Sequence, residues 1–232
     1  MKKRIKIALI VFVVLVTLLT ASFFVYVSRY YKADETATAV LQTDAVTRVD
    51  ENFIVLSPTV DSDTALIFYP GAKVEHIAYL PILKSIEQHC GITCILVKMP
   101  FNMAIFNANA ADEIIDRFPE IKNWYIGGHS MGGAMASSYA AKNQNKVDGL
   151  ILLGAYLYGG YPAEKALTVY GDLNTTVAEK VDYTKNVVVI KGGNHAGFGN
   201  YGKQKGDPDA TMSSQEQQDI AVDAIRAFLD GR

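Results

Sequence analysis

Residues 123–141 read NWYIGGHSMGGAMASSYAA, and this stretch indicates how the rest of the chain folds. Its first residues favour a strand, and mostly helix-forming residues at helical spacing follow the glycines. Between them, GHSMG at 128–132 matches the pattern G-x-S-x-G. In that pattern a serine occupies a sharp strand-to-helix turn and exposes its hydroxyl at the edge of a sheet. The stretch predicts a strand, a tight turn and a helix, and it makes Ser130 a candidate nucleophile.

The glycines on both sides of Ser130 support this interpretation. A side chain at Gly128 or Gly132 would collide with the backbone that folds back beside it, and the serine itself must hold a strained conformation. An ordinary glycine-rich turn is the alternative interpretation. The β-prone run before the turn and the helical pattern after it favour the nucleophile, because both lie where the pattern requires them.

Composition and charge limit the possible classes of function. The 232-residue chain is half hydrophobic and one-fifth charged, which suits one globular domain with a sizeable core. Its formal net charge is −2, and no basic tract lies outside the N-terminus, so the pattern excludes nucleic acid as a partner. The sequence contains no metal-ligand spacing, phosphate-binding loop or dinucleotide motif. We therefore expect no cofactor and no metal.

The N-terminus predicts a membrane anchor. Residues 1–6 carry four basic side chains, and residues 7–27 are uncharged and strongly apolar. At ~1.5 Å per residue such a helix crosses a ~30 Å hydrocarbon core once. The basic flank places the N-terminus in the cytoplasm and the following domain on the extracytoplasmic side of the cell membrane. A cleaved signal peptide is the alternative, although its apolar region would be shorter and would end in a small-residue cleavage site.

We expect an anchor at residues 1–28, a polar linker at 29–49 and an α/β domain at 50–232. Strand-like runs open the domain at 53–56 and 65–69, and the turn-forming residues between them indicate a hairpin. Further helical and strand-like runs then alternate, with helices at 79–90, 110–118 and 213–229 and strands at 93–97, 147–153, 167–170 and 187–190. This alternation predicts a mostly parallel sheet with helices on both faces.

His195 is the best candidate for the base that Ser130 needs, since a serine hydroxyl is a poor nucleophile at neutral pH. It lies in KGGNHAGFG at 191–199, directly after the last predicted strand. We expect that loop to emerge at the same sheet edge as the serine. The other three histidines fit less well. His129 adjoins the serine, and His89 ends a helix. His76 follows an early loop and could line the pocket.

A carboxylate should orient that histidine, and Asp172 is the available one after the run at 167–170. A turn-forming or helix-capping role for Asp172 is an equal alternative. Asp182 is a remoter candidate.

The oxyanion hole requires two backbone N–H groups. One should come from Met131, the residue after the nucleophile, and the other from Gly71 or Ala72 in the loop after an earlier strand. Pro70 has no N–H to donate.

Four segments resemble the small bacterial alpha/beta hydrolases of the dienelactone-hydrolase-like kind, which are often membrane-anchored. They are YPGAKVE at 69–75, KMPFNMA at 98–104, GGHSMGG at 127–133, and the region from GGNH at 192–195 to GD at 206–207. The resemblance extends from about residue 50 to the C-terminus. It implies the alpha/beta-hydrolase fold with a small lid or none, with Ser130 as nucleophile and His195 as base.

The chain departs from this family at the acid position. The family commonly has Gly-Ser-x-Asp there, whereas the matching segment reads GDLN at 171–174 and places Asn174 where the aspartate belongs. Three interpretations follow: Asp172 takes over, an amide completes a dyad, or activity is weak. Dienelactone hydrolases proper use a cysteine nucleophile, so their substrate is not implied for a serine elbow.

The two cysteines, Cys90 and Cys94, lie on either side of a predicted helix-to-strand turn. An exported domain permits a disulfide, but the geometry across a helix end and a strand is awkward. We expect two small buried core residues instead.

The motifs together predict a membrane-tethered, carboxylesterase-like serine hydrolase that cleaves a small-molecule ester or related acyl substrate through an acyl-enzyme at Ser130. The chain has no long insertion between its predicted strands to form a large lid. This favours a small or exposed acyl group. The alternative is a degenerate hydrolase that acts as a non-catalytic binding module, motivated by Asn174 at the acid position.

Overall fold

The computed structural model describes residues 2–231 and divides them into two compact units, with the boundary along the chain between Tyr30 and Tyr31. The first unit is one helix, α1 (Lys2–Ser28). Its segment Lys3–Ser28 has a mean hydropathy of 2.8 in its most apolar part, none of which is buried. Among the described residues this is the one helix that is long and apolar enough to cross a membrane. The predicted long, exposed apolar helix is therefore present.

The second unit is built on eight strands: β1 (Val46–Val49), β2 (Phe53–Leu56), β3 (Thr64–Tyr69), β4 (Thr93–Val97), β5 (Asn123–His129), β6 (Gly149–Leu153), β7 (Ala166–Gly171) and β8 (Val187–Ile190). They form one sheet in the order β1-β2-β4-β3-β5-β6-β7-β8. Strand β2 is antiparallel to both of its neighbours, and all other pairs are parallel. The prediction of a mostly parallel sheet is confirmed.

Helices cover both faces of this sheet. They are α2 (Glu35–Val40), α3 (Leu80–Cys90), α4 (Ala110–Arg117), α5 (Met131–Lys142), α6 (Thr175–Ala178) and α7 (Ser214–Asp230). Side chains of β3 alternate between two separate cores, as the two-residue period of a strand requires. Leu66 and Phe68 pack with residues of α3 and α7, whereas Ile67 and Tyr69 pack with residues of α4 and α5.

The predicted hairpin between 53–56 and 65–69 is wrong. Strand β2 pairs with β4, with Phe53 opposite Val97, while β3 lies between β4 and β5. Both edges of β3 are therefore occupied by parallel neighbours. The turn-forming residues between the two runs determine where the chain turns, but they do not determine which strand lies alongside.

The predicted linker at 29–49 is wrong from Tyr31 onward, because that part of it folds with the second unit. The N–H of Tyr31 donates to the carbonyl of Lys73 (2.7 Å), and the N–H of Ala33 donates to the Glu75 carboxylate (2.9 Å). Helix α2 then buries Ala37 and Val40, and β1 joins the sheet edge. Few apolar side chains anchor this segment, so its sequence resembles that of a tether.

Candidate active site

The strand, turn and helix predicted around Ser130 are present. Strand β5 ends at His129, α5 begins at Met131, and Ser130 between them has φ 54° and ψ −123°. This left-handed φ is strained for a residue with a side chain. A Cβ at Gly128 would lie 2.5 Å from the carbonyl oxygen of Tyr69, and one at Gly132 would overlap the same oxygen. The elbow can therefore form only because both positions lack a side chain.

Ser130 and His195 line the same cavity, which has a volume of about 650 Å³. His195 directly precedes a short 3₁₀ turn, Ala196–Phe198, in the loop after β8. Parallel strands β5 and β8 bring the serine and this loop to the same edge of the sheet. The rest of the cavity wall is mixed, with apolar side chains from Ile105, Met131, Met135, Leu173 and Val177 and polar ones from Asn174, Gln204, Lys205 and Asp207.

The partner of the His195 ring is an amide. Nδ2 of Asn174 lies 2.7 Å from Nδ1 of His195. Asn174 is buried, and its Oδ1 also accepts a hydrogen bond from the N–H of Val177 (3.4 Å) as the N-cap of α6. The same short side chain therefore caps a helix and holds the histidine.

Asp172, the predicted orienting acid, does not bond to the His195 ring. Its Oδ1 accepts a hydrogen bond from the N–H of Gly192 at 2.7 Å. Asp172 directly follows β7 and lies beside the first glycine after β8. The residue that reaches His195 is Asn174, two positions further along the chain. Asp182 likewise forms no hydrogen bond with His195 among the described residues. Asp172 therefore does not lie at the position of the orienting acid beside Nδ1 of His195, and Asn174 occupies that position.

The orientation of the Asn174 amide determines the tautomer of His195. When Nδ2 donates to Nδ1, the neutral imidazole carries its proton on Nε2 and cannot accept a proton there. When Oδ1 faces the ring, Nδ1 carries the proton and Nε2 is free to act as a base. The first orientation retains the α6 cap, and the second releases it. An amide thus allows both tautomers, whereas a carboxylate selects the second one.

The ring of His129, the residue before Ser130, is engaged in a buried hydrogen-bond network. The ring Nε2–H donates to the backbone carbonyl of His195 (2.9 Å). Because a carbonyl only accepts, Nδ1 must accept the proton of the Tyr79 hydroxyl, which lies 2.8 Å away. The Tyr79 oxygen in turn accepts the N–H of Gly71 (3.1 Å). This network links the loop after β3 to the loop that carries His195, and no sequence pattern indicates it.

This network changes the predicted oxyanion hole. The N–H of Gly71 is used by Tyr79 and is not free for a substrate oxygen. Among residues 2–231, the N–H groups of Ala72 and Met131 have no hydrogen-bond acceptor. The loop after β3 lies against the elbow, since a Cβ at Gly132 would overlap the carbonyl oxygens of Tyr69 and Pro70. Ala72 and Met131 are therefore the available pair of donors.

Burial shifts the pKa of three histidines, His195, His129 and His76. It lowers the pKa of His195, and the charge of Asp207 partly offsets that effect. Burial also lowers the pKa of His129 well below its usual value, and the neighbouring His195 lowers it further. Burial, with a smaller effect of the Lys98 charge, lowers the pKa of His76 to about 4. His76 does not line the cavity, contrary to the possibility raised from its sequence position.

Within the described chain, no group of three or more His, Cys, Asp or Glu side chains is placed to hold a metal ion. Cys90 and Cys94 are free thiols, Cys94 fully buried and Cys90 partly exposed.

Comparison with known proteins identifies the family of the chain. Residues 65–219 match the alpha/beta hydrolase family, and the chain belongs to that family. Among proteins whose functions have been curated, none matches the sequence significantly.

Solved structures of several hydrolases are similar in fold. Monoglyceride lipase from Saccharomyces cerevisiae has a TM-score of 0.56 at 10% identity, over 82% of this chain and 96% of that one. A carboxyl esterase from Bacillus coagulans has 0.53 at 11%, over 77% and 93%. Dienelactone hydrolase from Anabaena variabilis has 0.52 at 14%, over 78% and 94%. At these identities the similarity concerns the fold alone.

Proposed function

We propose that the protein is a carboxylesterase-like serine hydrolase, with Ser130 as nucleophile and His195 as base. The observation that carries this proposal is the strained Ser130 elbow facing a cavity that His195 also lines. Holding a serine in a strained conformation at a strand-to-helix turn lowers the stability of the fold. The conformation has a direct use, because it presents the hydroxyl to a substrate. The names of the similar structures, a monoglyceride lipase and a carboxyl esterase, support ester substrates.

In the proposed reaction, Oγ of Ser130 attacks the substrate carbonyl and its proton passes to Nε2 of His195. This step requires the Asn174 amide to present its oxygen to Nδ1–H. The N–H groups of Met131 and Ala72 stabilise the oxyanion, and His195 returns the proton to the leaving alkoxide. Water then hydrolyses the acyl-enzyme by the same base. Because Asn174 is neutral, it stabilises the imidazolium less than a carboxylate would, and we expect modest turnover.

We propose a small acyl compound as the substrate and a membrane as the cellular location. The cavity of about 650 Å³ is in the range of small-molecule sites. The helix Lys3–Ser28 would hold the hydrolase domain at the extracytoplasmic face of the cell membrane. In this proposal residues 1–28 form the anchor and the remainder carries the catalytic domain.

A fluorophosphonate probe tests the nucleophile in the full-length protein in detergent. We expect covalent labelling of the wild type and none of Ser130→Ala. Ser138→Ala is the matched control, since this partly buried serine lies on α5 and its hydroxyl makes no hydrogen bond among the described residues. Equal labelling of the wild type and Ser130→Ala, or none of either, would refute the proposal.

A non-catalytic binding module is the second candidate, and the Asn174 amide is the observation that favours it. With Nδ2 donating to Nδ1, His195 cannot act as a base. Turnover of short p-nitrophenyl esters separates the two candidates. Hydrolysis that Ser130→Ala abolishes excludes the binding module, whereas a folded protein inert to both ester and probe supports it.

A further inference from the structure

His195 lacks a carboxylate on its ring, but a carboxylate holds its backbone. Oδ1 of Asp207 accepts the N–H of His195 at 3.1 Å, and Oδ2 accepts the N–H of Ala196 at 2.7 Å. Asp207 also lines the cavity that contains Ser130 and His195. Both carboxylate oxygens are thus fixed beside the residue whose charge changes in the proposed reaction.

We propose that Asp207 is the positioning residue that supplies the negative charge missing from Asn174. This inference rests on the proposed function, because it concerns the imidazolium that forms when Ser130 loses its proton. The carboxylate does not need to touch the ring, since a fixed charge in a partly buried site favours a nearby cation over several ångströms. Two charge-assisted hydrogen bonds hold that charge in place.

The other polar and titratable groups around His195 do not supply this charge. The His129 ring from β5 lies 4.5 Å away between centroids and is held neutral. Asn174 is uncharged, and Lys205 on the cavity wall carries the opposite sign. Asp172 is directed to the N–H of Gly192. Asp207 is accordingly the carboxylate whose charge opposes the effect of burial on the pKa of His195.

The test is an NMR titration of His195 in the full-length protein in detergent micelles, with the resonance assigned from His195→Gln. We expect Asp207→Asn to lower the pKa of His195 by about 0.5–1 unit, because the charge is lost while the side chain keeps its shape. Asp209→Asn is the matched control. It removes the same charge from the same loop, where Asp209 pairs with Lys203 at 2.6 Å in an exposed position. No shift in Asp207→Asn, or an equal shift in Asp209→Asn, overturns the proposal.

Rescue distinguishes an electrostatic role from a structural one. Asn174→Asp combined with Asp207→Asn should return the pKa of His195 to the wild-type value or above it, because a carboxylate is again present. If Asp207→Asn does not fold, the chemical shift of the Asp207 carboxyl carbon in the wild type is followed as a function of pH instead. This resonance should show an inflection at the pH where His195 titrates. The absence of that inflection overturns the proposal.

Ester hydrolysis supplies a separate measurement. The acid limb of kcat/KM should move in Asp207→Asn to the same extent as the pKa of His195. If the wild type hydrolyses no ester and reacts with no fluorophosphonate, the proposed function fails, while the NMR titration still decides whether Asp207 acts on His195.

Discussion

Nδ1 of His195 and Nδ2 of Asn174 lie 2.7 Å apart, so the group behind the histidine is an amide. A carboxylate at this place would accept a hydrogen bond from Nδ1–H and stabilise the imidazolium, and an amide does so poorly. In the proposed reaction this pair limits turnover at Ser130, and it can be changed without altering the elbow.

Asn174→Asp should raise the turnover of a p-nitrophenyl ester about tenfold or more, because a carboxylate selects the tautomer with a free Nε2. Aspartate is as good an N-cap as asparagine, so α6 should be retained. The measurement is kcat/KM at pH 8 for the wild type and the variant. Unchanged turnover in a folded Asn174→Asp variant would contradict this role for position 174.

Asp172→Asn provides the matched comparison and should change turnover less than threefold. The amide oxygen can still accept the N–H of Gly192, which Oδ1 of Asp172 now does at 2.7 Å. A loss of several orders of magnitude would instead return the orienting role to Asp172, and kcat/KM under the same conditions decides between these outcomes.

Tyr79→Phe should lower the free energy of unfolding by about 1–3 kcal/mol, because it leaves the N–H of Gly71 and Nδ1 of His129 without a partner in a buried site. We also expect a lower kcat, since the loop that carries Ala72 loses its attachment. Denaturant unfolding and ester turnover provide the two measurements. Tyr158→Phe, at a side chain 54% exposed, is the control and should alter neither.

Gly132→Ala should prevent the elbow from forming, because the added Cβ overlaps the carbonyl oxygens of Tyr69 and Pro70. Loss of fluorophosphonate labelling together with a lower melting temperature is the expected result. Gly160→Ala makes the same chemical change where no atom lies within 4 Å of the new Cβ. If the Gly132 variant keeps full labelling and stability, the close approach is not required.

Stability should decrease as the pH falls below about 6.5, the usual pKa of histidine in an unfolded chain. Burial lowers the pKa of His76 to about 4, so the unfolded state binds the proton first and unfolding becomes easier between these values. The slope from this one group reaches about 1.4 kcal/mol per pH unit. Denaturant unfolding at pH 7.5, 6 and 5 measures it, and His76→Gln should reduce the slope. An identical slope in that variant would exclude His76 as a source.

The full-length protein should remain with the membrane fraction after carbonate washing, because Lys3–Ser28 is long and apolar enough to span the bilayer. Protease added to intact cells should digest the domain. A mature N-terminus near Ser28, read by mass spectrometry, would instead mean that the segment is removed as a signal.

Local sequence determines the features that depend on neighbouring residues. The G-x-S-x-G turn is of this kind, since Gly128 and Gly132 allow the strand and the helix to meet at Ser130. The start of α7 is another, where Ser213 and Glu216 form a capping box across one turn. Both are encoded locally because each contact spans only a few positions in the chain.

Only the tertiary structure decided which distant groups meet. Asn174 rather than Asp172 reaches His195 because the packing of β7 against β8 directs Asp172 to Gly192. The pairing of β2 with β4 depends on which sheet edge is free, and the turn residues between β2 and β3 do not encode this. Asp207 meets the backbone of His195 through a loop that follows the histidine in the chain. These contacts depend on three-dimensional packing. The resemblance at 171–174 made Asn174 a candidate, but it left the choice between Asn174 and Asp172 open, and no sequence pattern indicated the β2–β4 pairing or the contact of Asp207 with His195.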